Sequence, residues 1–489
     1  MDGTADREIT SLKLKDFSRT DKPAPPEPDP VPEGPPPAPA PEEPAPTGLE
    51  PGPEEPAPEP AEAGEAAPEP DAPAETEARQ PEKPPKPLTS EEVTGHTASL
   101  WKYLPVPEGE PEPSPEYLFG ETDYPGSRII GARVRGKKHK HEGTNCDDWY
   151  ETASCGDITF LAVSDGAGSK RFSRIGAQVS CKAAAGYLVK AFSAALAGRP
   201  ELADEIKLPL SDRNCMEACG QLAKLVQESV VKAYEAVEAA WYQRTLDPAF
   251  PQVLGRELEL NDLSGTLLVT AVVPVDKETG EHLIISCQVG DGMIAILNTK
   301  GDFSASVKLM GKPDSGDFSG ETEFLTSPRM HLLESLQSRT KLSRGIVDLV
   351  LVMSDGVADD YFPNETEMRR LYYDLTANGI IPGRGRGLTL AELSQQQIRQ
   401  FKKLPDPLAY PWVNDQSVKI SLHYTKRICE AFGLSLEELW ADPAVLELAR
   451  LELDDRLRAA PPAERLKLWL DNYVERGSFD DRTLVIAQI

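Results

Sequence analysis

The stretch Leu161–Lys170, which reads LAVSDGAGSK, decides the fold of this 489-residue chain. The apolar run 158–163 predicts a buried strand that ends abruptly at Ser164, and a helix of small residues is predicted from about 175 to 197. Asp165 is therefore held rigidly at a sheet edge, and Gly166 lets the backbone approach whatever that carboxylate binds. Asp-Gly is also an ordinary turn, so this stretch alone does not identify a site.

The same pattern recurs where other predicted strands end. A second Ser-Asp-Gly, at 354–356, follows the apolar run 346–353, and Gly-Asp-Gly at 290–292 closes a third run. Asp480 and Asp481 directly precede the last predicted strand. Acidic residues at several strand ends predict one site for a hard metal ion, assembled from distant parts of the chain.

Composition divides the chain into a tail, an arm and a folded part. Residues 1–100 hold 25 of the 46 prolines, and this Pro/Glu/Ala tract has too little apolar surface to offset chain entropy. We predict a disordered tail over 1–95, an aromatic and proline-rich arm over 96–126, and a folded domain over 127–489. A helical insertion is expected at about 386–476. Residues 7–17 are either part of the disordered tail or a short docking motif, and the tail is the simpler interpretation.

Charge and cysteine usage limit the partners and the compartment. The formal net charge of −28 argues against nucleic acid, which needs a basic face. Seven scattered cysteines favour a reducing compartment over a disulfide framework. The apolar runs are too short to span a membrane and the first residues lack a signal pattern, so we expect a soluble, cytoplasmic protein.

The remaining pattern predicts alternating helices and strands. We expect strands at 128–135, 263–273 and 483–487, with 282–289 and 293–297 arranged like a hairpin. Helices are expected at 213–245, 389–403, 415–432, 435–454 and 463–476. The segment 136–150 carries cations and then carboxylates, which suits either a phosphate beside a metal or a solvated charged turn.

Residues of about 128–362 and 478–488 resemble the metal-dependent protein phosphatases, the type 2C serine/threonine phosphatases, especially the bacterial branch. The resemblance rests on six motifs in order: His139 with GTNCDD at 143–148, AVSDGAGS at 162–169, GTLL at 265–268, VGDG at 289–292, LVMSDGVAD at 351–359 and DDRTLV at 480–485. It implies an α+β fold, a four-layer α-β-β-α sandwich with two central antiparallel sheets. Periodicity alone indicates only a mixture of helices and strands.

The resemblance also implies a centre of two Mg²⁺ or Mn²⁺ ions, with a weaker third ion. A metal-bridged hydroxide would attack phosphorus in line, and an oxygen-rich site with few histidines suits such ions. The implied metal ligands are the carboxylates of Asp148, Asp165, Asp355 and Asp480 and the carbonyl of Gly166, with Asp147 acting through water and Asp291 and Asp359 at the third ion.

One departure from the family pattern concerns the substrate phosphate. Many relatives carry a phosphate-binding Arg five residues before the loop Asp, whereas this chain has Gly143 there. His139 is a candidate for phosphate contact, for proton donation or for a structural role. The other cations that could replace the missing Arg are Arg133, Arg135 and Lys137, with Lys138 and His141.

The resemblance implies a protein-serine/threonine phosphatase whose substrates are supplied by a Ser/Thr kinase. An alternative is a catalytically weak pseudophosphatase that binds phosphoproteins, against which the intact set of carboxylates argues. A third interpretation, a phosphatase for a small molecule or for a regulatory anti-sigma antagonist, differs only in its substrate.

Overall fold

The computed structural model describes residues 10–12, 102–299, 307–311, 322–361, 365–381, 460–472 and 479–489. The rest of the predicted tail lies outside these ranges, as do the predicted helices 389–403, 415–432 and 435–454. The predicted helix 463–476 is described up to residue 472.

Two antiparallel sheets of six strands each form the centre of the molecule. The first has the order β1-β10-β7-β6-β5-β4 and the second the order β2-β3-β12-β11-β8-β9. The strands are β1 Thr10–Leu12, β2 Tyr117–Tyr124, β3 Ser127–Val134, β4 Trp149–Cys155, β5 Ile158–Ser164, β6 Leu267–Asp276, β7 Glu281–Val289, β8 Met293–Leu297, β9 Val307–Leu309, β10 Thr340–Ile346, β11 Leu349–Met353 and β12 Arg482–Gln488.

Helices cover the outer face of each sheet. The helices are α1 Lys137–Glu142, α2 Ser173–Gly198, α3 Leu202–Glu205, α4 Arg213–Thr245, α5 Ala249–Leu254, α6 Leu333–Arg339, α7 Asp355–Tyr361, α8 Glu365–Ala377 and α9 Pro462–Asn472, with a 3₁₀ helix at Leu260–Leu263. Helices α2 and α4 share a buried core with the first sheet, whereas α7, α8 and α9 share one with the second. None of the helices in the described part of the chain has the length and apolar character that a membrane span needs.

The central strands are buried on both faces, which explains their unbroken apolar sequences. In β5, Phe160 and Ala162 face the helices, while Leu161 and Val163 join the core between the sheets. The alternate residues of β11 and β12 divide in the same way between the outer and the inner core. The predicted four-layer α-β-β-α sandwich with two antiparallel sheets is therefore confirmed.

The predicted hairpin of 282–289 and 293–297 is wrong. Strand β7 belongs to the first sheet and β8 to the second, so the chain crosses between the sheets at 290–292. Gly290 has φ 110°, and a Cβ there would lie 2.4 Å from Thr266 Cγ2. A glycine is therefore needed at the crossing, whereas the sequence pattern of a crossing and of a tight hairpin is the same.

The predicted strand 346–353 is not one strand, because the chain crosses from the first sheet to the second within it. Strand β10 ends at Ile346 in the first sheet, and β11 begins at Leu349 in the second. At the break, Asp348 accepts a hydrogen bond of 2.8 Å from the backbone N–H of Thr299. The apolar sequence continues through the break, because both strands are buried.

Three further boundaries differ from the predictions. The predicted strand 263–273 begins at 267, because the 3₁₀ helix comes first. The last part of the arm is strand β2, which pairs with β3 at a sheet edge. Thr10–Leu12, within the predicted disordered tail, pairs as β1 with β10.

Candidate active site

Acidic side chains from both sheets meet where their strands end. Asp165 follows β5 of the first sheet, whereas Asp355 begins α7 directly after β11 of the second. Asp291 lies at the crossing between β7 and β8. Carboxylate oxygens of Asp165, Asp291 and Asp355 all lie within 4.8 Å of one another. Residues from three separate parts of the sequence thus form one acidic cluster.

Asp148 approaches this cluster from the segment that follows α1. Its Oδ2 accepts hydrogen bonds from the hydroxyls of Ser354, at 2.8 Å, and Thr483, at 2.6 Å. Its Oδ1 is buried and has no hydrogen-bond donor among the described residues, and the same holds for Asp355 Oδ1. One oxygen of Asp148 is therefore fixed by hydroxyls, and the other is left for a cation.

Backbone contacts hold Asp165 and Gly166 in place. The N–H of Asp165 donates to Thr266 Oγ1 at 2.9 Å, and the N–H of Thr266 donates to the Asp165 carbonyl at 2.7 Å. A Cβ on Gly166 would lie 2.7 Å from the carbonyl oxygen of Asp147. Only glycine lets these backbones pass so closely, and this brings the Gly166 main chain beside the acidic cluster.

Electrostatics favour a bound cation at this cluster. Burial raises the pKa of Asp165, and the charges of Asp355, Asp148 and Asp480 raise it further. Burial likewise raises the pKa of Asp148 and Asp355. Carboxylates crowded together and removed from water repel one another, which raises their pKa values. A bound divalent ion would offset this repulsion and lower the pKa values. An all-oxygen donor set of this kind fits Mg²⁺ or Mn²⁺.

Asp359 lies at the rim of the same cluster. Burial raises its pKa, and the charges of Asp291 and Asp480 act in the same direction. Asp291 Oδ2 accepts a hydrogen bond of 2.5 Å from the hydroxyl of Thr322. The charges of Asp291 and Asp359, the two residues predicted for a third ion, thus act on each other.

His139 and Asp147 form a second, adjoining cluster with Asp481. His139 Nδ1 lies 2.9 Å from Asp481 Oδ2, while its Nε2 lies 3.9 Å from Asp147 Oδ2 and 3.8 Å from Asp480 Oδ1. Burial lowers the pKa of His139, but the surrounding carboxylates, above all Asp481, outweigh it and raise the pKa to about 10. The imidazolium thus bridges Asp481 and the acidic cluster.

Three of the other predicted cations, Arg133, Arg135 and Lys137, are buried and point elsewhere. Arg133 donates to the hydroxyl of Ser114 and stacks on the Trp149 ring at 4.7 Å. Arg135 donates to the carbonyls of Leu104 and His139. Lys137 is buried, which lowers its pKa, and its Nζ lies 5.7 Å from the centre of the Phe479 ring.

The arm occupies the space beside Gly143. Gly143 ends α1 with φ 75°, and a Cβ there would lie 3.2 Å from the carbonyl oxygen of Pro105. The backbone N–H of Leu104 donates to the Lys140 carbonyl at 2.7 Å. The glycine is thus explained locally by a left-handed turn and by the arm packed on it.

The sequence pattern places Asp481 among the acidic residues at strand ends but assigns it no contact with His139. Its carboxylate accepts hydrogen bonds from the backbone N–H groups of Gly136 and Asp147. Burial raises its pKa, but the charge and hydrogen bond of His139, followed by these two N–H groups, outweigh burial and lower it. The Asp-Asp doublet before β12 is the signal that could have indicated this, because successive side chains of an extended segment point in opposite directions. Ser354 and Thr483, which hold Asp148, belong to the sequence motifs, but the motifs do not indicate this role.

Comparison with known proteins gives a family match and a set of structural likenesses. The model of the protein phosphatase 2C family matches residues 135–379. A bacterial serine phosphatase is 11% identical, with a TM-score of 0.33, over 74% of this chain and 97% of that chain. The serine/threonine phosphatase Stp1 from Staphylococcus aureus is 11% identical, with a TM-score of 0.32, over 76% and 99%. The phosphatase MsPP from Mycobacterium smegmatis, in complex with cacodylate, is 13% identical, with a TM-score of 0.26, over 74% and 97%.

No curated protein matches the chain. The family model covers about half of the sequence. Its span includes α1, the stretch 161–170 and α7, which carry His139, Asp165 and Asp355. The chain belongs to the protein phosphatase 2C family.

Proposed function

We propose that this chain hydrolyses phosphoserine and phosphothreonine monoesters in proteins, in a reaction that depends on two Mg²⁺ or Mn²⁺ ions. The observation that carries the proposal is the convergence of Asp148, Asp165 and Asp355, which lie at strand ends of the two sheets and whose charges act on one another. The scattered free cysteines favour the cytoplasm. The substrates would come from a Ser/Thr kinase.

The chain's own residues would hold the ions by oxygen. Asp165 and Asp355 lie centrally, Asp148 offers its remaining buried oxygen, and Asp480 approaches from the start of β12. Gly166 contributes its carbonyl and Asp147 acts through water, while Asp291 and Asp359 would hold a third, weaker ion. When bound, such ions lower the pKa of a coordinated water and neutralise charge on the phosphoryl oxygens.

His139 would supply the proton that the leaving group needs. In the hydrolysis, a bond forms between a water oxygen and phosphorus, and the bond from phosphorus to the seryl or threonyl oxygen breaks. Asp481 fixes the imidazole through Nδ1, which leaves the proton on Nε2 directed toward Asp147 and Asp480. Transfer of that proton to the departing alkoxide yields the free alcohol, and the proton that the attacking water loses restores the imidazolium.

Release of inorganic phosphate from a phosphothreonine peptide tests this function. We expect turnover by the full-length chain with Mn²⁺, none with EDTA, and a loss of about a hundredfold or more in kcat for Asp480→Asn, since one ligand charge is removed. Asp204→Asn, at an exposed residue of α3, serves as the control and should match the wild type.

The alternative, a phosphoprotein-binding pseudophosphatase, makes the opposite prediction. The wild-type chain would then bind Mn²⁺ and phosphopeptide but release no phosphate from serine or threonine peptides of varied sequence. That result would overturn the catalytic proposal and leave the metal site intact.

A further inference from the structure

A small pocket opens next to His139 and holds two cations that the family motifs do not include. Its volume is about 160 Å³. Its walls come from α1, from the segment that follows it and from the loop before α2. The lining residues are His139, Thr144, Asn145, Asp147, Gly168–Ser169, Lys170 and Arg171. The pocket adjoins the acidic residues at Gly168, since a Cβ there would lie 3.9 Å from Asp480 Oδ2. A phosphoryl group bound at those residues would therefore lie next to the pocket.

Arg171 at this pocket is more exposed to solvent than Arg133, Arg135 and Lys137. Those three are almost fully buried, whereas the Arg171 side chain is 35% exposed at the pocket wall. An arginine that is partly open to water can still bind an anion, and its planar fork matches phosphate oxygens. Lys138, beside the pocket, adds a further positive charge to those of Arg171 and Lys170, since its Nζ would lie 3.7 Å from a Cβ on Gly168.

The arm holds Arg171 from behind. Arg171 Nη2 pairs with Glu110, whose carboxylate also accepts a hydrogen bond of 3.1 Å from Arg174 Nη2. Arg174 is buried and donates to the carbonyls of Glu112 and Arg171, at 2.9 Å and 2.7 Å. The buried Glu110 therefore fixes the guanidinium of Arg171, and Arg174 fixes its main chain.

We propose that Arg171, oriented by Glu110 of the arm, binds the phosphoryl group of the substrate in this pocket. It would thus replace the phosphate-binding arginine that many relatives carry at the position of Gly143. This inference rests on the proposed phosphatase function for its substrate. The binding itself requires only a phosphate and the geometry of the pocket. Glu110 acts as a positioning residue, since it contacts Arg171 rather than the pocket.

Calorimetric binding of inorganic phosphate to the Mn²⁺-loaded, full-length chain tests the inference without requiring turnover. Arg171→Ala should weaken phosphate binding by about tenfold or more, which is typical for loss of a charge-assisted hydrogen bond. Arg171→Lys should recover part of the affinity. Glu110→Gln should weaken it less, since Arg171 remains. Arg213→Ala, which removes an exposed arginine paired with Glu217, is the matched control and should bind as the wild type does.

The outcomes separate this inference from the proposed function. If the wild type hydrolyses phosphopeptide but Arg171→Ala binds phosphate within twofold of the wild type and keeps its KM, the role of Arg171 is wrong and the phosphatase stands. If the wild type lacks turnover yet binds phosphate through Arg171, the pocket stands and the phosphatase fails. A wild type that binds no phosphate at millimolar concentration overturns the pocket, and unchanged binding by Glu110→Gln overturns the role of the arm.

Discussion

Asp480 and Asp481 are adjacent in sequence and both lie near His139, yet their carboxylates have different further neighbours. The charge of Asp480 raises the pKa of Asp165, whereas Asp481 accepts hydrogen bonds from the N–H groups of Gly136 and Asp147. The start of β12 directs one side chain to each side of the chain. This short acidic doublet therefore connects the candidate metal site with the segment that carries His139.

Asp262 supports the site from the 3₁₀ helix and gives a pH-dependent prediction. Burial raises its pKa, but paired hydrogen bonds from Arg256 and the N–H of Glu259 outweigh burial and lower it. Its contribution to stability is therefore fully present above the unfolded pKa of about 3.9, and it is lost as the pH falls through the lower folded pKa.

We expect Asp262→Asn to lower the free energy of unfolding at pH 7 by about 1 kcal/mol, since Arg256 is half-exposed and its pairing is screened. The difference from the wild type should shrink as the pH falls below about 4. Urea unfolding between pH 3 and 7 measures it. A difference that is constant over this range contradicts the assigned ion pair.

Helix α2 lies so close to the 3₁₀ helix that there is no room for a side chain at Gly176. A Cβ on Gly176 would lie 1.8 Å from the carbonyl oxygen of Leu263, whereas a Cβ on Gly186 in the same helix meets nothing within 4 Å. The two positions therefore form a matched pair within one helix, and they separate packing from helix propensity.

We expect Gly176→Ala to destabilise the chain by about 1–3 kcal/mol through overpacking. Gly186→Ala should stabilise it by about 0.5–1 kcal/mol, since alanine loses less backbone entropy in a helix. Chemical unfolding of both variants provides the measurement. Equal effects at the two positions would contradict the close contact of α2 with the 3₁₀ helix.

The apolar central strands and the two long helices could be predicted from the sequence, but the edge strands and the assignment of strands to sheets could not. Runs such as 158–163 are apolar on both faces, which indicates a strand buried on both sides. The crossings at Gly290 and after Ile346 leave no local signal, because both strands that flank each crossing are buried. Only the three-dimensional register shows that β7 and β8 do not pair.

The same limit applies to the site. Asp165, Asp291 and Asp355 could be predicted as a cluster, since each follows an apolar run and precedes a glycine. The arm could not be connected to the site, because Glu110 lies among prolines and is more than sixty residues from Arg174 in sequence. Long-range ion pairs of this kind have no periodicity to reveal them.

At the scale of the whole molecule, the acidic centre joins the two sheets. Its side chains come from the first sheet at Asp165, from the second sheet at Asp355 and Asp480, and from the segment before β4 at Asp148. Each carboxylate is costly to bury alone. A bound divalent ion would offset that cost and stabilise the folded chain through linkage.

Calorimetric titration of the full-length chain with Mn²⁺ tests this centre most directly. We predict two ions bound per wild-type chain, a binding constant at least about tenfold weaker for Asp165→Asn, and unchanged binding for Asp204→Asn. A wild-type chain that binds no Mn²⁺, or an Asp165→Asn variant that binds as the wild type does, would contradict the assignment of these carboxylates to one metal centre.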